Sequence, residues 1–330
     1  MKSNKFPWMD KREVLIKSES DTDPRYGCDP EKRSIPDLLD YGIVNVDKPS
    51  GPSSHEVSAF VKKILKVEKS GHSGTLDPKV TGVLPVAIGR GTRIVQSLLT
   101  AGKEYVCLMS LHADVEENKI RKAMDSFVGE IDQLPPVRSA VKRQVRKRTI
   151  YYIDIIEMKE RSILFRVGCQ AGTYIRKLCS DLGLKLGCGA HMAELRRTMA
   201  GPFDESTICT LQDLKDAFYY YKEKGDETLL RKIVLPVEKG AEHLKKVWIH
   251  DATVSSICHG AYLNIPGIAK LESRIDKGER IAVLTLKGEL VMAAIAQATS
   301  EDAMKKDKGL FAKPDQVFMK TETYPKITKK

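Results

Sequence analysis

The sequence predicts an α+β protein of two folded units, with a mixed or antiparallel sheet in the first and a small β-barrel in the second. Up to about residue 245, apolar runs of strand and helix periodicity interleave without strict β-α-β order, which favours a mixed or antiparallel sheet. The following stretch of roughly 75 residues consists mainly of short strands, which is typical of a small barrel. The length of 330 residues accommodates two cores.

The composition indicates a basic protein without a membrane-spanning segment. Fifty-five Lys and Arg against 44 Asp and Glu leave a net charge of +11. Such an excess suits a polyanionic partner, although composition alone fits an ordinary basic globular protein equally well. No apolar run approaches the roughly 18 residues that a membrane span requires, and the first residues do not resemble a signal peptide. We therefore expect a cytoplasmic protein.

The cysteines argue against a metal centre. No two of the seven have the C-x-x-C spacing of a zinc knuckle or redox pair, and the zinc-deaminase signature is also missing. Reduced and mostly buried thiols are the favoured interpretation. We expect no metal and no other cofactor. The cysteines are Cys28, Cys107, Cys169, Cys179, Cys188, Cys209 and Cys258.

The first unit contains several predicted helices and strands behind a polar segment. Residues 1–36 are turn-rich and are predicted to form an arm that must pack on another part of the chain. A capping box at Ser53 and Glu56 begins a helix, and later helices are predicted to end at Gly129 and Gly183. The apolar face of the first helix comprises Val57, Phe60, Val61, Ile64 and Leu65. The predicted strands are 43–46, 83–88, 105–111, 149–157 and 162–169.

A second unit begins near Val247, where the pattern resets. It is predicted to contain a helix at 252–258 and two strands, 280–286 and 289–297, joined by a hairpin turn at Lys287-Gly288. The predicted organisation is therefore an arm that packs on the C-terminal domain, a large domain, a small domain and a tail. These parts span residues 1–36, 37–245, 246–322 and 323–330.

Three short segments have the composition of functional sites. Gly71-His-Ser-Gly-Thr-Leu-Asp77-Pro78 presents one carboxylate on a stiff loop beside an imidazole, although Asp-Pro is more often an ordinary turn. Gly172-Thr-Tyr-Ile-Arg176 places an arginine fork at a strand-to-helix junction, where it could hold a carboxylate. Lys103-Glu-Tyr105 opens a strand with a ring that could stack on a base. Taken singly, each fits a core or solvent-exposed position as well.

A fourth segment, residues 133–150, is basic without a single acidic residue. It is flanked by Pro135-Pro136 and Tyr151-Tyr152. Such runs are often solvated surface, but this one is predicted to lie on an RNA backbone. Its basic residues are Arg138, Lys142, Arg143, Arg146, Lys147 and Arg148.

In their order along the chain, these segments resemble the motifs of the TruB class of pseudouridine synthases. Val46-Asp-Lys48-Pro-Ser-Gly51 upstream and Leu195-Arg-Arg197 downstream belong to the same resemblance. Tyr26-Gly27 and the segments 135–143 and 167–179 are similar to the dyskerin branch of that class. The second unit resembles the PUA domain of that branch, through His259-Gly260-Ala261 and Pro266-Gly267-Ile268. Because long lysine-rich tails are absent, an archaeal-type member is expected.

The resemblance implies an isomerase that detaches uracil from its ribose, turns it and rejoins it through carbon, on a uridine flipped out of RNA. Asp77 would be the catalytic carboxylate, either as nucleophile or as base toward the sugar. Arg176 would pair with Asp77 and keep it ionised. The substrate contacts implied for the other motif positions are stacking on uracil by Tyr105, closure of the pocket by Tyr174, filling of the vacated gap by His72, an apolar wall from Leu195 and support of the floor by Lys48.

The resemblance also implies a box H/ACA ribonucleoprotein that modifies rRNA or tRNA. In it a guide RNA selects the uridine by base pairing, and small accessory proteins complete the particle. The PUA domain, with His259 and Gly260, would hold guide RNA or a tRNA acceptor end through shape and backbone. Two alternatives stay open: a stand-alone synthase for the tRNA T-loop, and a scaffold or RNA chaperone whose chemistry is secondary.

Overall fold

The computed structural model describes residues 5–135 and 144–326, so the predicted RNA contacts Arg138, Lys142 and Arg143 lie outside the described residues. The described strands form two sheets with extensive apolar cores, and the predicted α+β class is confirmed. Across these ranges, no helix is both long enough and apolar enough to cross a membrane. Strand β1 (Val14–Ile16) belongs to the second sheet and is described with it.

The first sheet is antiparallel except at one junction. Its strand order is β11-β2-β4-β9-β5-β8-β7-β6, with β10 paired to β9 and β3 paired to β4. β4 and β9 run parallel, with Thr81 opposite Arg196 and Gly82 opposite Arg197. A side chain at position 82 would lie 2.1 Å from the Arg197 carbonyl oxygen, so only glycine allows this approach. The strands are β2 (Gly42–Lys48), β3 (Ser70–His72), β4 (Thr81–Ile88), β5 (Lys103–Leu111), β6 (Gly129–Gln133), β7 (Arg146–Lys159), β8 (Ser162–Cys169), β9 (Ala190–Ala200), β10 (Phe203–Asp204) and β11 (Val234–Pro236).

Helices cover this sheet and also occur in the second unit. The predicted capping box is confirmed at the helix that begins after Ser53, where Ser53 Oγ accepts from Glu56 N–H and Glu56 Oε2 accepts from Ser53 N–H. The described helices are α1 (Ile35–Asp40), α2 (Ser54–Leu65), α3 (Val95–Thr100), α4 (Glu117–Asp125), α5 (Ile175–Leu186), α6 (Leu211–Lys224), α7 (Thr228–Ile233), α8 (Asp251–Cys258) and α9 (Ser300–Lys305). Short 3₁₀ helices lie at Pro7–Met9, Pro30–Lys32, Gly89–Ile94, Glu205–Thr207, Val237–Ala241 and Ile265–Gly267.

Three details of the helix predictions are wrong. Phe60 was predicted on the apolar face of α2 but is 43% exposed. α4 ends at Asp125 rather than at Gly129, because hydrogen-bonded turns carry the chain from there into β6. α5 continues through Gly183 and is capped by Gly187 instead. A side chain at position 183 would lie 2.1 Å from a backbone nitrogen of β9, so this glycine serves close packing and not helix termination.

The second sheet has seven described strands in the order β1-β14-β12-β15-β16-β17-β13. β12 and β15 are parallel, and their neighbours are antiparallel. Gly288 occupies the predicted turn between β15 and β16, with a φ of +89°. Tyr324, which was predicted to lie in the tail, is buried and donates its hydroxyl to Glu289. The strands are β12 (Lys245–Ile249), β13 (Leu263–Asn264), β14 (Ile268–Glu272), β15 (Arg280–Thr285), β16 (Leu290–Ala296) and β17 (Leu310–Val317).

The N-terminal segment contacts both sheets. β1 pairs antiparallel with β14 and forms one edge of the second sheet. The Phe6 ring is buried and packs edge-on against Tyr151 and Tyr152 of β7 in the first sheet. Arg12 lies between the two, donating to the backbone oxygens of Trp8, His243 and Leu244 and to the Glu272 carboxylate. The segment therefore joins the two units.

An apolar cluster with members from both sheets forms the boundary between the units. It includes Ile43 and Phe203 of the first sheet and Ala282 and Phe318 of the second unit. Beside it, both oxygens of Glu238 accept from the Arg33 guanidinium at 2.7 and 2.8 Å. The Arg33 and Glu238 side chains are only 9% and 14% exposed.

We expect Arg33→Met to lower the free energy of unfolding by about 3–5 kcal/mol, because it leaves the Glu238 carboxylate buried without its partner. Urea unfolding at neutral pH measures the change. Arg121→Met is the matched control, since it breaks an exposed pair with Glu117 and should cost less than about 0.5 kcal/mol. Equal effects of the two substitutions would contradict a structural role for the buried pair.

Candidate active site

Asp77 and Arg176 meet although they are 99 residues apart in sequence. Asp77 lies in the loop between β3 and β4, and Arg176 lies in the first turn of α5. Arg176 Nη2 donates to Asp77 Oδ2 at 2.6 Å. The two side chains are 59% and 63% exposed, so the pair is accessible to a ligand from solvent. An exposed ion pair is weak by itself, and its geometry must therefore be fixed by the backbone on either side.

The backbone after Asp77 is held by Lys48, which is fully buried at the end of β2. Its ammonium donates to the carbonyl oxygens of Pro49, Pro78 and Val80, each at 2.9 Å. Burial lowers the pKa of Lys48, and the nearby Arg197 lowers it further, whereas Asp77 raises it. Lys48 thus binds the loop that follows Asp77, and its three protons are all used.

The backbone before Asp77 is held by different groups. Leu76 N–H donates to Ser54 Oγ at 2.8 Å, and that hydroxyl donates back to the Leu76 carbonyl. Gly74 N–H donates to His72 Nδ1, and Gly74 O accepts from Arg197 Nη2. Arg197 is 1% exposed and also donates to the Val83 carbonyl in β4. The carboxylate is therefore exposed on a loop whose two ends are both anchored.

Tyr105 and Leu195 lie on neighbouring strands beside this loop. Tyr105 in β5 is opposite Arg197 in β9, and Leu195 is opposite Cys107. Burial raises the pKa of Tyr105, and the charges of Arg197 and Asp77 act on it in opposite directions. Tyr105 and Leu195 are both partly buried against the same apolar cluster. The structure thus brings Tyr105 within the electrostatic influence of Asp77 and places Leu195 on the neighbouring strand.

His72 is the last residue of β3, and its ring packs edge-on against His55 of α2 at 4.7 Å between centroids. Burial lowers the pKa of His72 to about 4, and the nearby His55 and Arg197 add to the shift. The imidazole is therefore neutral at neutral pH. Because Nδ1 accepts from Gly74 N–H, the ring proton resides on Nε2.

Tyr174 occupies the N-cap position of α5 in an extended conformation. The side-chain amide of Gln133, the last residue of β6, binds both backbone groups of Tyr174. Gln133 Oε1 accepts from Tyr174 N–H at 3.0 Å, and Gln133 Nε2 donates to Tyr174 O at 3.2 Å. The Tyr174 side chain is half-buried.

The described part of the basic segment lies beside β6 and the loop that precedes α5. Lys147 pairs with Glu130 at 2.6 Å, and Arg148 donates to the backbone oxygens of Gly172 and Lys147. Arg146 begins β7 opposite Gln133. His259 and Gly260 are far along the chain, exposed at the end of α8 in the second unit. The structure therefore divides the predicted RNA contacts between the two units.

Sequence reasoning missed several residues that shape this site. Arg197 and Lys103 belong to motifs that were recognised, but no role was given to either. Lys103 is buried and donates to the carbonyl oxygens of Leu98, Leu99 and Ala101, and burial lowers its pKa to about 7. Ser54 and Gln133 carry no signal of their own, because their partners are backbone atoms that any residue supplies.

Among residues 5–135 and 144–326, no group of three or more His, Cys, Asp or Glu side chains is arranged to hold a metal ion. All seven cysteines are free thiols, and the closest approach that the structure records between two of them joins Cys107 and Cys179 at 3.6 Å.

Models of known families match nearly the whole chain. The TruB family pseudouridylate synthase N-terminal domain matches residues 62–118 and 112–175, and the tRNA pseudouridylate synthase B C-terminal domain matches 176–242. A DKCLD domain matches residues 3–58, and a PUA domain matches 245–318.

Similar proteins match nearly the full length of the chain. A probable tRNA pseudouridine synthase B of Methanopyrus kandleri is 53% identical over 98% of this chain and 96% of its own length. The protein of the same name from Pyrococcus furiosus is 55% identical over 97% of this chain and 95% of its own length. A chain from the crystal structure of a Cbf5-Nop10-Gar1 complex has a TM-score of 0.94 at 55% identity, covering 97% of this chain and 98% of its own. One from an H/ACA RNP bound to a substrate RNA has a TM-score of 0.92 at 52% identity, covering 98% and 99%.

The fold, the anchored aspartate and these similarities define the class of the protein as an RNA pseudouridine synthase, an isomerase of uridine. More narrowly, the chain belongs to the TruB family, in its dyskerin or Cbf5-type branch.

We expect the low pKa of His72 to reduce stability at acidic pH. Between pH 6.5 and about 4 the unfolded chain binds a proton that the folded imidazole does not, so stability is lost as the pH falls through this range. His72→Asn keeps an acceptor near Gly74 N–H but does not titrate. The fall in Tm between these pH values should therefore be smaller in the variant than in the parent. An equal fall in Tm in the parent and in His72→Asn would contradict a low pKa of His72.

Proposed function

We propose that Asp77 is the catalytic carboxylate with which this chain isomerises uridine in RNA, and that Arg176 orients it. The observation that carries the proposal is the 2.6 Å contact between the two side chains on a solvent-open surface. Lys48 and Arg197 support the loop from its buried side. A carboxylate that is held by a guanidinium on a fixed loop is suited to act on one atom of a bound ribose from one direction.

In the proposed reaction the bond from ribose C1′ to uracil N1 breaks, and a bond from C1′ to C5 forms. The proton lost from C5 is matched by one gained at N1, so no redox partner or energy donor is required. Arg176 occupies Asp77 Oδ2, and Oδ1 has no hydrogen-bond partner within the described residues. That oxygen is the one we assign to the sugar, as nucleophile or as base.

The neighbouring residues would receive the flipped uridine. Tyr105 would stack on the base, and Tyr174 would close the pocket at the start of α5. Leu195 would supply an apolar wall next to Tyr105. His72 would fill the gap left in the RNA, a role that suits its neutral ring, because a neutral ring can stack on bases without being desolvated as an ion.

RNA binding would involve both units, with catalysis assigned to residues 37–245 and a PUA-type RNA contact to residues 246–322. In the first unit we propose contacts from the basic segment, and in the second from His259 and Gly260, which are exposed. Lys147 would exchange its partner Glu130 for a phosphate, whereas Arg148 keeps only part of its guanidinium free. The proposed basic contacts are Arg138, Lys142, Arg143, Arg146, Lys147 and Arg148.

We further propose that the chain acts as the catalytic subunit of a guide-directed box H/ACA particle in the cytoplasm. Similar chains occur in a Cbf5-Nop10-Gar1 complex, in a Nop10-Cbf5 complex of an archaeal box H/ACA sRNP and in an H/ACA RNP with substrate RNA. The second candidate is a stand-alone tRNA synthase, which the names of the relatives support. The third is an RNA scaffold with secondary chemistry.

We expect Asp77→Asn to bind RNA as the parent does and to lose turnover by at least about 1,000-fold, because the amide neither attacks nor accepts a proton. Tritium release from uridine labelled at C5 measures turnover, and filter binding measures affinity. Asp114→Asn is the matched control, since Asp114 follows the end of β5 and forms an exposed ion pair with Arg161. Turnover at the parental rate in Asp77→Asn would refute the role of Asp77.

A comparison of substrates separates the three candidate functions. Tritium release is measured from tRNA and from an RNA that pairs with a guide, each with and without guide RNA and accessory proteins. We expect release from the guided RNA only with the complete particle. Release from tRNA without any guide would favour the stand-alone enzyme, and tight RNA binding without release in any arm would favour the scaffold.

A further inference from the structure

Gln133 contacts the start of the helix that carries Arg176, although it lies outside every motif of the catalytic centre. We infer that Gln133 is a positioning residue for Arg176, acting through the backbone of Tyr174. This inference rests on the proposed function, because it concerns the orientation of the guanidinium that holds Asp77.

The contact is specific to a carboxamide. Gln133 is 2% exposed, and its Oε1 and Nε2 bind the N–H and the carbonyl of one residue, as a neighbouring strand would. A carboxylate supplies only acceptors, and an apolar side chain supplies neither group. Position 133 therefore fixes the backbone of Tyr174 in a way that no other side chain of similar length reproduces.

The backbone of Tyr174 sets the direction of α5. Tyr174 is extended, with φ of −97° and ψ of 105°, and its carbonyl also accepts the first helical hydrogen bond, from Leu178 N–H. No side chain caps this helix at its N-cap residue. The Gln133 amide binds the N-cap residue itself and not the free N–H groups of the first turn, and in this way it holds the point from which the helix starts.

Arg176 follows two residues later and depends on that starting point. Within the described part of the chain, Asp77 is the hydrogen-bonding partner of its guanidinium, and both side chains are well exposed. Packing by neighbouring side chains therefore does little to hold the Arg176 guanidinium in one position. A small rotation of the helix start would move Nη2 away from Asp77 Oδ2, and misplacement of this size lowers catalytic rates strongly.

The test replaces Gln133 with methionine, which has similar length and no hydrogen-bonding amide. We expect kcat for uridine isomerisation to fall by about 10- to 100-fold, with KM for RNA changed by less than about twofold. Exchange of the Tyr174 amide hydrogen should become faster. Gln297→Met is the matched control, because Gln297 also uses its amide to bind backbone oxygens, those of Ile295 and Ala296 in the second unit.

A double-mutant cycle distinguishes positioning from a general structural role. In an Arg176→Lys background, Gln133→Met should change kcat by less than about twofold, because the fork that it positions is already lost. If the kcat loss of the double variant equals the product of the losses of the two single variants, the inference is overturned. A kcat of Gln133→Met equal to that of the parent would also overturn it. If the parent itself shows no turnover, the proposed function fails. Unchanged Tyr174 exchange in Gln133→Met would then still overturn the contact on which the inference depends.

Discussion

The contact between Asp77 and Arg176 is the interaction that the arrangement of the first unit has to hold in place. Water screens an exposed ion pair, so the contact cannot hold two distant segments in register by itself. The parallel pairing of β4 with β9 and the packing of α5 on the sheet bring the segments together. Lys48 and Arg197 then fix the aspartate loop through backbone carbonyls.

Holding a loop with a buried cation costs free energy, because the cation must leave water to bind its carbonyl groups. Burial lowers the pKa of Lys48 and Arg197 and brings that of Lys103 to about 7. In return, one ammonium group satisfies three carbonyls at a turn where no strand or helix does so. The site is therefore rigid beneath Asp77 and open above it.

Periodicity and capping signals predicted α2, β5 and β8, because these depend on neighbouring residues, whereas β9 and most of the short strands were not predicted. Gly183 was misinterpreted as a helix end because its packing against β9 is a tertiary contact. In the site, Asp77 and Arg176 belong to segments with a distinctive order of residue types. Ser54 and Gln133 could not be predicted, since each binds the backbone of a segment far along the chain and leaves no mark on the sequence there.

The pairing of β1 with β14 has a consequence for biosynthesis. Arg12 and Glu272 are hydrogen-bonded beside this pair of strands and are 260 residues apart in sequence. The first partner therefore leaves the ribosome long before the second is translated. The first sheet can assemble during that interval, since its strands end at Pro236. Its aspartate loop can therefore form on the nascent chain before the ribosome supplies the strands that give the N-terminal segment its place.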